Sequence, residues 1–121
     1  MPRRLHLLAI CSYPPSRRVE AREALDAVLA AAIFEQRVSV LFCGDGVWQL
    51  LREQGDYSGA DKPLARSLEA LPLYGVPELL VDTESLAERG LDAGDLLDIA
   101  QPVTLEQARE LMRRCDRIMS F

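Results

Sequence analysis

The sequence predicts an α/β domain with an open, mostly parallel sheet and helices on both faces. Short apolar segments that resemble buried strands alternate with helical segments along the chain. Right-handed crossovers between successive strands then give an open, twisted sheet. The 121 residues are enough for one ordinary domain, and neither a linker nor an internal repeat divides them, so we expect a single domain over residues 1–121.

The first third of the chain predicts two strands that flank a long helix. Residues 5–11 are an apolar run that ends before two prolines, as a buried strand would. Residues 37–43 are β-branched and aromatic and stop at a glycine pair, which predicts the clearest strand. Between them, residues 19–35 carry the apolar stripe of an amphipathic helix, formed by Leu25, Val28, Leu29, Ala32 and Ile33.

The middle of the chain predicts two short helices and a third strand. Residues 47–53 have one apolar side and are interpreted as a helix, and the polar residues 54–61 as an exposed loop. Pro63 is well placed to open a second short helix that runs to Leu71. Residues 77–82 form an apolar run that predicts a strand.

The last third of the chain predicts two capped helices, separated by a segment whose structure is less clear from the sequence. Asp82 or Thr83 can cap a short helix that runs to Arg89. Thr104 and Gln107 have the spacing of a capping box ahead of another helix, and the last six residues predict a final strand. In the segment between these helices, a short strand is suggested by Leu96, Leu97 and Ile99.

Composition and charge limit the classes of function. The net charge is −5, from 14 basic and 19 acidic residues, and Lys62 is the single lysine. Tight binding to nucleic acid needs clustered cations, so we expect no direct contact with RNA or DNA. The apolar runs are too short to span a membrane, and the N-terminal run is too short for a signal peptide, which predicts a cytoplasmic protein.

The cysteines and the histidine offer little for a metal or a disulfide. Cys11, Cys43 and Cys115 show no metal-ligand spacing, and their odd number in a cytoplasmic chain favours free thiols. His6 is the one histidine, and it falls in the first predicted strand, where we expect it to pack. We therefore expect neither a metal nor a cofactor.

Residues 44–46, Gly-Asp-Gly, follow a strand and open a helix, where free N–H groups can bind an anion. The glycine pattern of a dinucleotide site is absent, because position 49 is Gln49. A tight turn with Asp45 as the helix cap is the simpler interpretation, since its carboxylate would repel a phosphate. We favour the turn.

Cys11 and Cys43 end two neighbouring predicted strands and are the candidate reactive thiols. They could form a thiol pair or accept a persulfide, but a reactive thiolate needs a nearby cation or a helix N-terminus. The adjacent Asp45 opposes a thiolate at Cys43. Because cysteine is often simply buried as a small apolar residue, we favour a packing role for both, and still more for Cys115.

Trp48, Leu73 and Tyr74 are candidates for a protein interface. Trp48 lies beside the apolar stripe of its predicted helix, and Trp and Tyr are common at binding hot spots. Leu73 and Tyr74 belong to residues 71–77, which are unusually apolar for a connection. A place in the core is the alternative for Trp48 and Tyr74, but contact with a partner would explain both features, and we favour it.

Several segments together resemble one family. They are residues 21–30, 42–51, 73–75, 85–92 and 115–121, and the most specific are Asp-Gly-Val-Trp-Gln-Leu-Leu at 45–51 and Arg-Gly-Leu-Asp at 89–92. In this order and spacing they resemble the TusC/DsrF branch of the DsrE-like sulfur-relay proteins. The resemblance covers nearly the whole chain. It implies a sheet of about five parallel strands with flanking helices.

The resemblance also implies partners and a pathway. It implies assembly with subunits of the TusB and TusD kinds as a dimer of heterotrimers, which passes persulfide sulfur toward 2-thiouridine in tRNA. A related complex serves sulfur oxidation. The sulfur-carrying cysteine of the family belongs to the TusD/DsrE subunit, and the matching position here is at or next to Asp82. Since a carboxylate cannot carry a persulfide, the resemblance implies a non-catalytic subunit.

Other interpretations stay open. The chain could carry a persulfide itself through Cys11 or Cys43, or act as a DsrF-like subunit in sulfur oxidation. It could also bind a small molecule on a flavodoxin-like scaffold, with the ligand near Ser12, Tyr13 and residues 44–46. Expressed alone, the chain could associate with itself through a surface meant for its partners.

Overall fold

The computed structural model describes residues 4–34, 36–52 and 62–121. Within these ranges the strands are β1 His6–Cys11, β2 Arg37–Phe42, β3 Leu79–Asp82, β4 Ala100–Val103 and β5 Arg117–Ser120. The α-helices are α1 Arg18–Ile33, α2 Lys62–Ala70, α3 Thr83–Glu88 and α4 Leu105–Arg114. Short 3-10 helices cover Gly44–Leu50, Leu71–Tyr74 and Ala93–Asp95.

The five strands form one sheet in the order β4-β3-β2-β1-β5, and every neighbouring pair is parallel. The open parallel sheet predicted by the alternation of segments is confirmed, as is the strand number implied by the resemblance. In the register of β1 and β2, Cys11 lies opposite Phe42. Parallel strands all end at one edge of the sheet, here called the carboxyl edge, so the residues that follow β1, β2 and β3 are brought together there.

Helices cover both faces of the sheet, as predicted. Val40 and Phe42 of β2 pack on one side in the larger core cluster, which also contains Leu25 and Val28 of α1. Leu41 points to the other side, where the smaller cluster includes Ala108 and Leu111 of α4. The alternating strand residues therefore hold two helical layers on a shared sheet.

The helix predicted over residues 47–53 differs from the observed one. A 3-10 helix begins earlier, at Gly44, and ends at Leu50. The N–H of Gly46 donates to the carbonyl of Cys43 at 2.9 Å, so the glycine pair forms the first turn of the helix. The loop predicted for residues 54–61 lies outside the described residues.

The strand suggested by Leu96, Leu97 and Ile99 is wrong. The strand in this region is Ala100–Val103, which pairs with β3. Leu96 and Leu97 are buried, but the backbone N–H of Leu97 donates to the carbonyl of Leu50 at 2.8 Å. Their apolar side chains therefore fill the core beside the 3-10 helix, and their backbone does not join the parallel sheet.

The caps predicted for α3 and α4 are confirmed. Asp82 is the cap of α3, and its side chain accepts from the backbone N–H of Ser85. Thr104 and Gln107 form the predicted capping box at the start of α4, with reciprocal bonds of 3.1 and 2.8 Å. The helices of the described ranges include none long and apolar enough to cross a membrane.

Candidate functional site

The candidate site lies at the carboxyl edge of the sheet, where the ligand sites of open α/β folds are found. β1 ends at Cys11, Cys43 follows β2, and β3 ends at Asp82. The N–H of Cys43 donates to the carbonyl of Cys11 at 3.1 Å, so the ends of the two strands are tied together. The structure thus brings both candidate thiols and the candidate carboxylate to the same edge.

Asp82 is held by a short chain of hydrogen bonds. Its Oδ2 accepts from the Ser85 backbone N–H at 3.1 Å and from the Ser85 hydroxyl at 2.6 Å. The same Ser85 Oγ accepts from the N–H of Gly44 at 2.9 Å. Asp82 Oδ1 is buried and has no hydrogen-bond partner within the described ranges. The network joins the end of β3 to the start of the 3-10 helix after β2.

Arg89 links the same two segments from the outside. Its Nε and Nη2 donate to Asp45 Oδ1 at 3.2 and 3.1 Å, and its Nη1 donates to the Ser85 carbonyl at 3.1 Å. The Arg89 side chain is only 20% exposed, whereas that of Asp45 is 58% exposed. The prediction that Asp45 caps its helix is wrong, because that helix has no side-chain cap bond and Asp45 pairs with Arg89.

The environment of Cys43 disfavours its thiolate. Burial is the main cause that raises the pKa of Cys43, and the negative charge of Asp82 raises it further. Arg89 acts in the opposite direction but does not reverse the shift. The acidic group that opposes the thiolate is therefore Asp82, and not Asp45 as the sequence suggested.

Cys11 is even less available than Cys43 to react as a thiolate. It is 4% exposed and belongs to the larger core cluster, as its favoured packing role predicts. Burial, with a smaller contribution from Cys43, raises the pKa of Cys11 to about 12. The third thiol, Cys115, is half-buried and contacts the Met112 carbonyl at 3.3 Å.

The backbone of the glycine pair, Gly44 and Gly46, packs against neighbouring segments of the chain. The Gly44 N–H is bonded to Ser85 and the Gly46 N–H to Cys43. A Cβ added at Gly46 would lie 2.1 Å from the carbonyl oxygen of Cys11, so the backbone of β1 fills the space that a side chain would need. These contacts support the favoured interpretation of a tight turn.

The other position suggested for a small-molecule ligand is also occupied from within the chain. Both the backbone N–H and the hydroxyl of Ser12 donate to the carbonyl of Phe121 at 2.8 Å. The Tyr13 carbonyl accepts from the side chain of the buried Gln49 at 2.8 Å. For metal binding, the ranges that the structure describes contain no group of three or more suitable side chains.

The three interface candidates lie in two different 3-10 helices. Trp48 is half-buried in the 3-10 helix at the carboxyl edge, between the buried residues Val47 and Gln49. Leu73 and Tyr74 belong to the 3-10 helix Leu71–Tyr74 before β3 and are 86% and 55% exposed. An interface role for any of them stays a prediction.

His6 packs in β1, as expected, and bonds across the sheet. Its Nε2 lies 2.8 Å from the Ser39 hydroxyl of β2. Burial is the main cause that lowers the pKa of His6, followed by the charge of Arg37, while Asp116 acts in the opposite direction. This pair lies at the start of the strands, away from the carboxyl edge.

The sequence interpretation missed Ser85 and Arg89. Both reach residues more than 40 positions away, Ser85 the Gly44 N–H and Arg89 the Asp45 carboxylate. The one local signal was the Asp82-x-x-Ser85 spacing at a helix start, which allows a side-chain cap but does not reveal the link to β2.

Together, the fold and this edge define an open α/β domain in which a thiol, Cys43, follows β2 and a carboxylate, Asp82, ends β3. Comparison with known proteins is consistent with that class. A model described as the DsrE/DsrF-like family matches residues 6–121, which is nearly all of the chain. The protein belongs to the DsrE/DsrF-like family, and the resemblance found in the sequence is confirmed.

Individual relatives agree with this assignment. A protein named TusC homolog from Pseudomonas aeruginosa is 41% identical over 116 residues, covering 95% of this chain and 97% of its own. The intracellular sulfur oxidation protein DsrF from Allochromatium vinosum is 35% identical and covers 88% of this chain and 89% of its own. The crystal structure of the ychN protein from E. coli has the same fold, with a TM-score of 0.73 at 19% identity over 98% of this chain and 100% of its own.

Proposed function

We propose that this chain is a subunit of a sulfur-relay complex and that it does not itself carry the sulfur. The observation that carries the proposal is the carboxylate of Asp82 at the end of β3, at or next to the position where the resemblance places the sulfur-carrying cysteine of the family. A carboxylate oxygen cannot form a persulfide. Membership of the DsrE/DsrF-like family supports the class of function.

The two thiols at the same edge, Cys11 and Cys43, are poorly suited to carry the sulfur in place of the family's cysteine. Cys11 is almost fully buried, and burial raises its pKa to about 12, so its thiolate is strongly disfavoured at pH 7. Cys43 is more exposed, but burial and Asp82 both raise its pKa. Because Asp82 is a carboxylate, its position cannot carry sulfur, and its negative charge also disfavours the thiolate of Cys43.

The resemblance further supports specific partners. We propose that this chain assembles with TusB-like and TusD-like subunits as a dimer of heterotrimers in the cytoplasm, and that the TusD-like subunit supplies the thiol. The relative named TusC homolog favours a role in the 2-thiouridine modification of tRNA. The acidic net charge of −5 favours an indirect link to the RNA.

Reconstitution tests this proposal. The chain is co-expressed with the two small α/β subunits from the same genome, and transfer of sulfur from a cysteine desulfurase is followed by mass spectrometry. Transfer should require this chain, and it should survive the double substitution Cys11→Ser and Cys43→Ser. The proposal is overturned if the double variant loses transfer while the complex still assembles, or if the isolated chain transfers sulfur by itself.

A second candidate is a role in sulfur oxidation, which the DsrF relative from Allochromatium vinosum favours. The subunit role would be the same, but the physiological sulfur donor and acceptor would differ. Deletion of the gene distinguishes the two: loss of 2-thiouridine from tRNA supports the first pathway, and loss of growth on reduced sulfur with intact 2-thiouridine supports the second.

A further inference from the structure

The helices are divided unequally between the two faces of the sheet. Leu25 of α1, Leu68 of α2 and Leu86 of α3 all lie in the larger core cluster. Within the described ranges, the buried helix residues of the smaller cluster, Ala108 and Leu111, belong to α4 alone. A helix with its side chains is about 10 Å wide, whereas five strands about 4.8 Å apart span about 19 Å. α4 therefore leaves part of its face of the sheet open.

The open part is a groove of about 580 Å³ between α4 and the strands β2, β3 and β4. Its floor is apolar but offers little area, because Leu80, Val103 and Leu111 are each only 8% exposed. A protein interface usually has an apolar centre, which this floor does not supply. The volume lies within the range of about 300–1,000 Å³ that small-molecule sites occupy. The groove therefore suits a small ligand better than a protein surface.

Two charged side chains of the groove are unpaired. Arg37 of β2 and Glu78, which precedes β3, both line it, and among the described residues neither side chain has an ion pair or a hydrogen bond. Arg37 and Glu78 are thus the charges available to a ligand. The other charged side chains of the lining have partners on α4, in the pairs Glu106–Arg109, Glu110–Arg113 and Glu110–Arg114.

The register of the strands sets the distance between these two charges. Val40 lies opposite Leu79, so the Cα atoms of Arg37 and Glu78 are about 8 Å apart on neighbouring strands. Both residues line the same groove, and both have long side chains with the charge at the end. A cation and an anion of opposite strands can therefore hold the two ends of one small molecule between them.

Two neutral polar side chains line the same groove. Ser39 lies two residues after Arg37 in β2, and its hydroxyl is 2.8 Å from Nε2 of His6. Gln101 of β4 lies opposite Leu80 and is exposed. A hydroxyl and an amide can each donate or accept, so they can bond a ligand that the two charges hold.

We infer that the groove binds a small zwitterion of the α-amino acid class, with its carboxylate on Arg37 and its ammonium group on Glu78. Arginine matches a carboxylate through paired N–H donors, and a glutamate carboxylate accepts from an ammonium group. The volume leaves room for a large side chain above the apolar floor. The inference does not depend on the proposed sulfur-relay function, since the residues that line the groove include neither Cys43 nor Asp82.

Titration of the whole chain with L-phenylalanine near pH 7, followed by heteronuclear NMR of the backbone amides, tests the inference. Saturable shifts should centre on the groove, at residues such as Ser39 and Gln101. Hydrocinnamate lacks the ammonium group and phenethylamine lacks the carboxylate. Each should bind at least about tenfold more weakly than phenylalanine, because each leaves one charge of the groove without its partner.

Substitutions assign each charge to its half of the ligand. Glu78→Gln should weaken phenylalanine at least about tenfold but leave hydrocinnamate unchanged, whereas Arg37→Gln should weaken both. Arg117→Gln is the matched control and should weaken neither, because Arg117 is exposed in β5 and is not among the residues that line the groove. Circular dichroism of each variant shows that it remains folded.

Three results would overturn the inference. The first is that phenylalanine causes no saturable shift, or shifts only residues outside the groove. The second is that it binds no better than either analogue, since the zwitterion is then not what the groove recognises. The third is that Arg117→Gln weakens phenylalanine as much as Arg37→Gln does, since the effect is then one of net charge.

Discussion

Asp82 and Ser85 form a two-point contact in which Oδ2 of the carboxylate accepts from both the backbone N–H and the hydroxyl of Ser85, at 3.1 and 2.6 Å. The contact caps α3, and through the Gly44 N–H it also fixes the start of the 3-10 helix beside Cys43. One carboxylate therefore has two effects at this edge. It orders two segments, and it places a negative charge near a thiol.

The charge of Asp82 should control the reactivity of Cys43. Asp82→Asn keeps an oxygen that can accept from Ser85 but removes the charge that raises the pKa of Cys43. The pKa of Cys43 should fall, and its alkylation by iodoacetamide near pH 8 should become several-fold faster, because the thiolate is the nucleophile. Peptide mapping by mass spectrometry separates Cys43 from the other two cysteines.

Two further variants check the cause of that change. Arg89→Gln removes the charge that lowers the pKa of Cys43, so alkylation should become slower. Asp26→Asn removes an exposed carboxylate on α1 and should leave the rate unchanged. Equal rates in the natural chain and in Asp82→Asn would show that the carboxylate does not govern the thiol.

Gly46 should tolerate no side chain. A Cβ there would lie 2.1 Å from the carbonyl oxygen and 2.8 Å from the carbonyl carbon of Cys11, and both atoms belong to a buried strand that cannot move easily. Gly46→Ala should therefore lower the free energy of unfolding by more than about 2 kcal/mol, as measured by urea denaturation.

Gly94→Ala is the matched control for that variant. A Cβ at Gly94 would lie 3.4 Å from Asp92 Oδ1, which is an ordinary contact, in a short 3-10 helix at the surface. Its effect should stay below about 1 kcal/mol. If both variants unfold at the same urea concentration, the close approach of Gly46 to β1 is not a constraint.

The sequence predicted the elements whose local signals agree with their place in the fold. β1, β2 and β3 are apolar runs that the sheet buries, and the capping box of Thr104 and Gln107 marks a helix in any context. β4 was not predicted because Ala100–Val103 is a poor strand by composition and contains Pro102. It is a strand because β3 offers it a partner at the sheet border, where a proline is tolerated.

The candidate site was only partly predictable for a similar reason. The residues at strand ends, Cys11, Cys43 and Asp82, follow from the parallel sheet, because all strands end at one edge. The contacts of Arg89 and Ser85 with the segment after β2 join residues that are far apart in sequence, and no local pattern specifies such contacts. The sequence therefore assigned the opposing charge to Asp45, the nearest acidic neighbour of Cys43.

His6 should make the stability of the protein depend on pH. Its folded-state pKa is lowered from 6.5, chiefly by burial and then by Arg37, so the unfolded chain binds this proton more readily. The stability that the neutral ring contributes is fully present above about pH 6.5 and is lost as the pH falls through 6.5 toward the folded-state pKa. His6→Gln should lack this part of the pH dependence in urea unfolding between pH 5 and 8.

NMR can follow the same proton directly, because His6 is the single histidine of the chain. Its ring signals should titrate below pH 6.5, and Arg37→Gln should move the midpoint upward by removing a charge that disfavours the imidazolium. A midpoint at or above 6.5 in the natural chain would contradict both the burial and the charge effect.

Asp82→Cys should turn the carboxyl edge into a sulfur acceptor. The donors that Ser85 now gives to the carboxylate can stabilise an anionic sulfur at the same place. In a background with Cys11→Ser and Cys43→Ser, treatment with inorganic polysulfide should add sulfur to the introduced thiol, as detected by intact mass and peptide mapping. The same background with Asp82 retained should add no sulfur at this edge. If the introduced thiol stays unmodified in a folded variant, the Ser85 donors do not suffice to make this edge reactive, and the carboxylate is then not what separates this chain from a sulfur carrier.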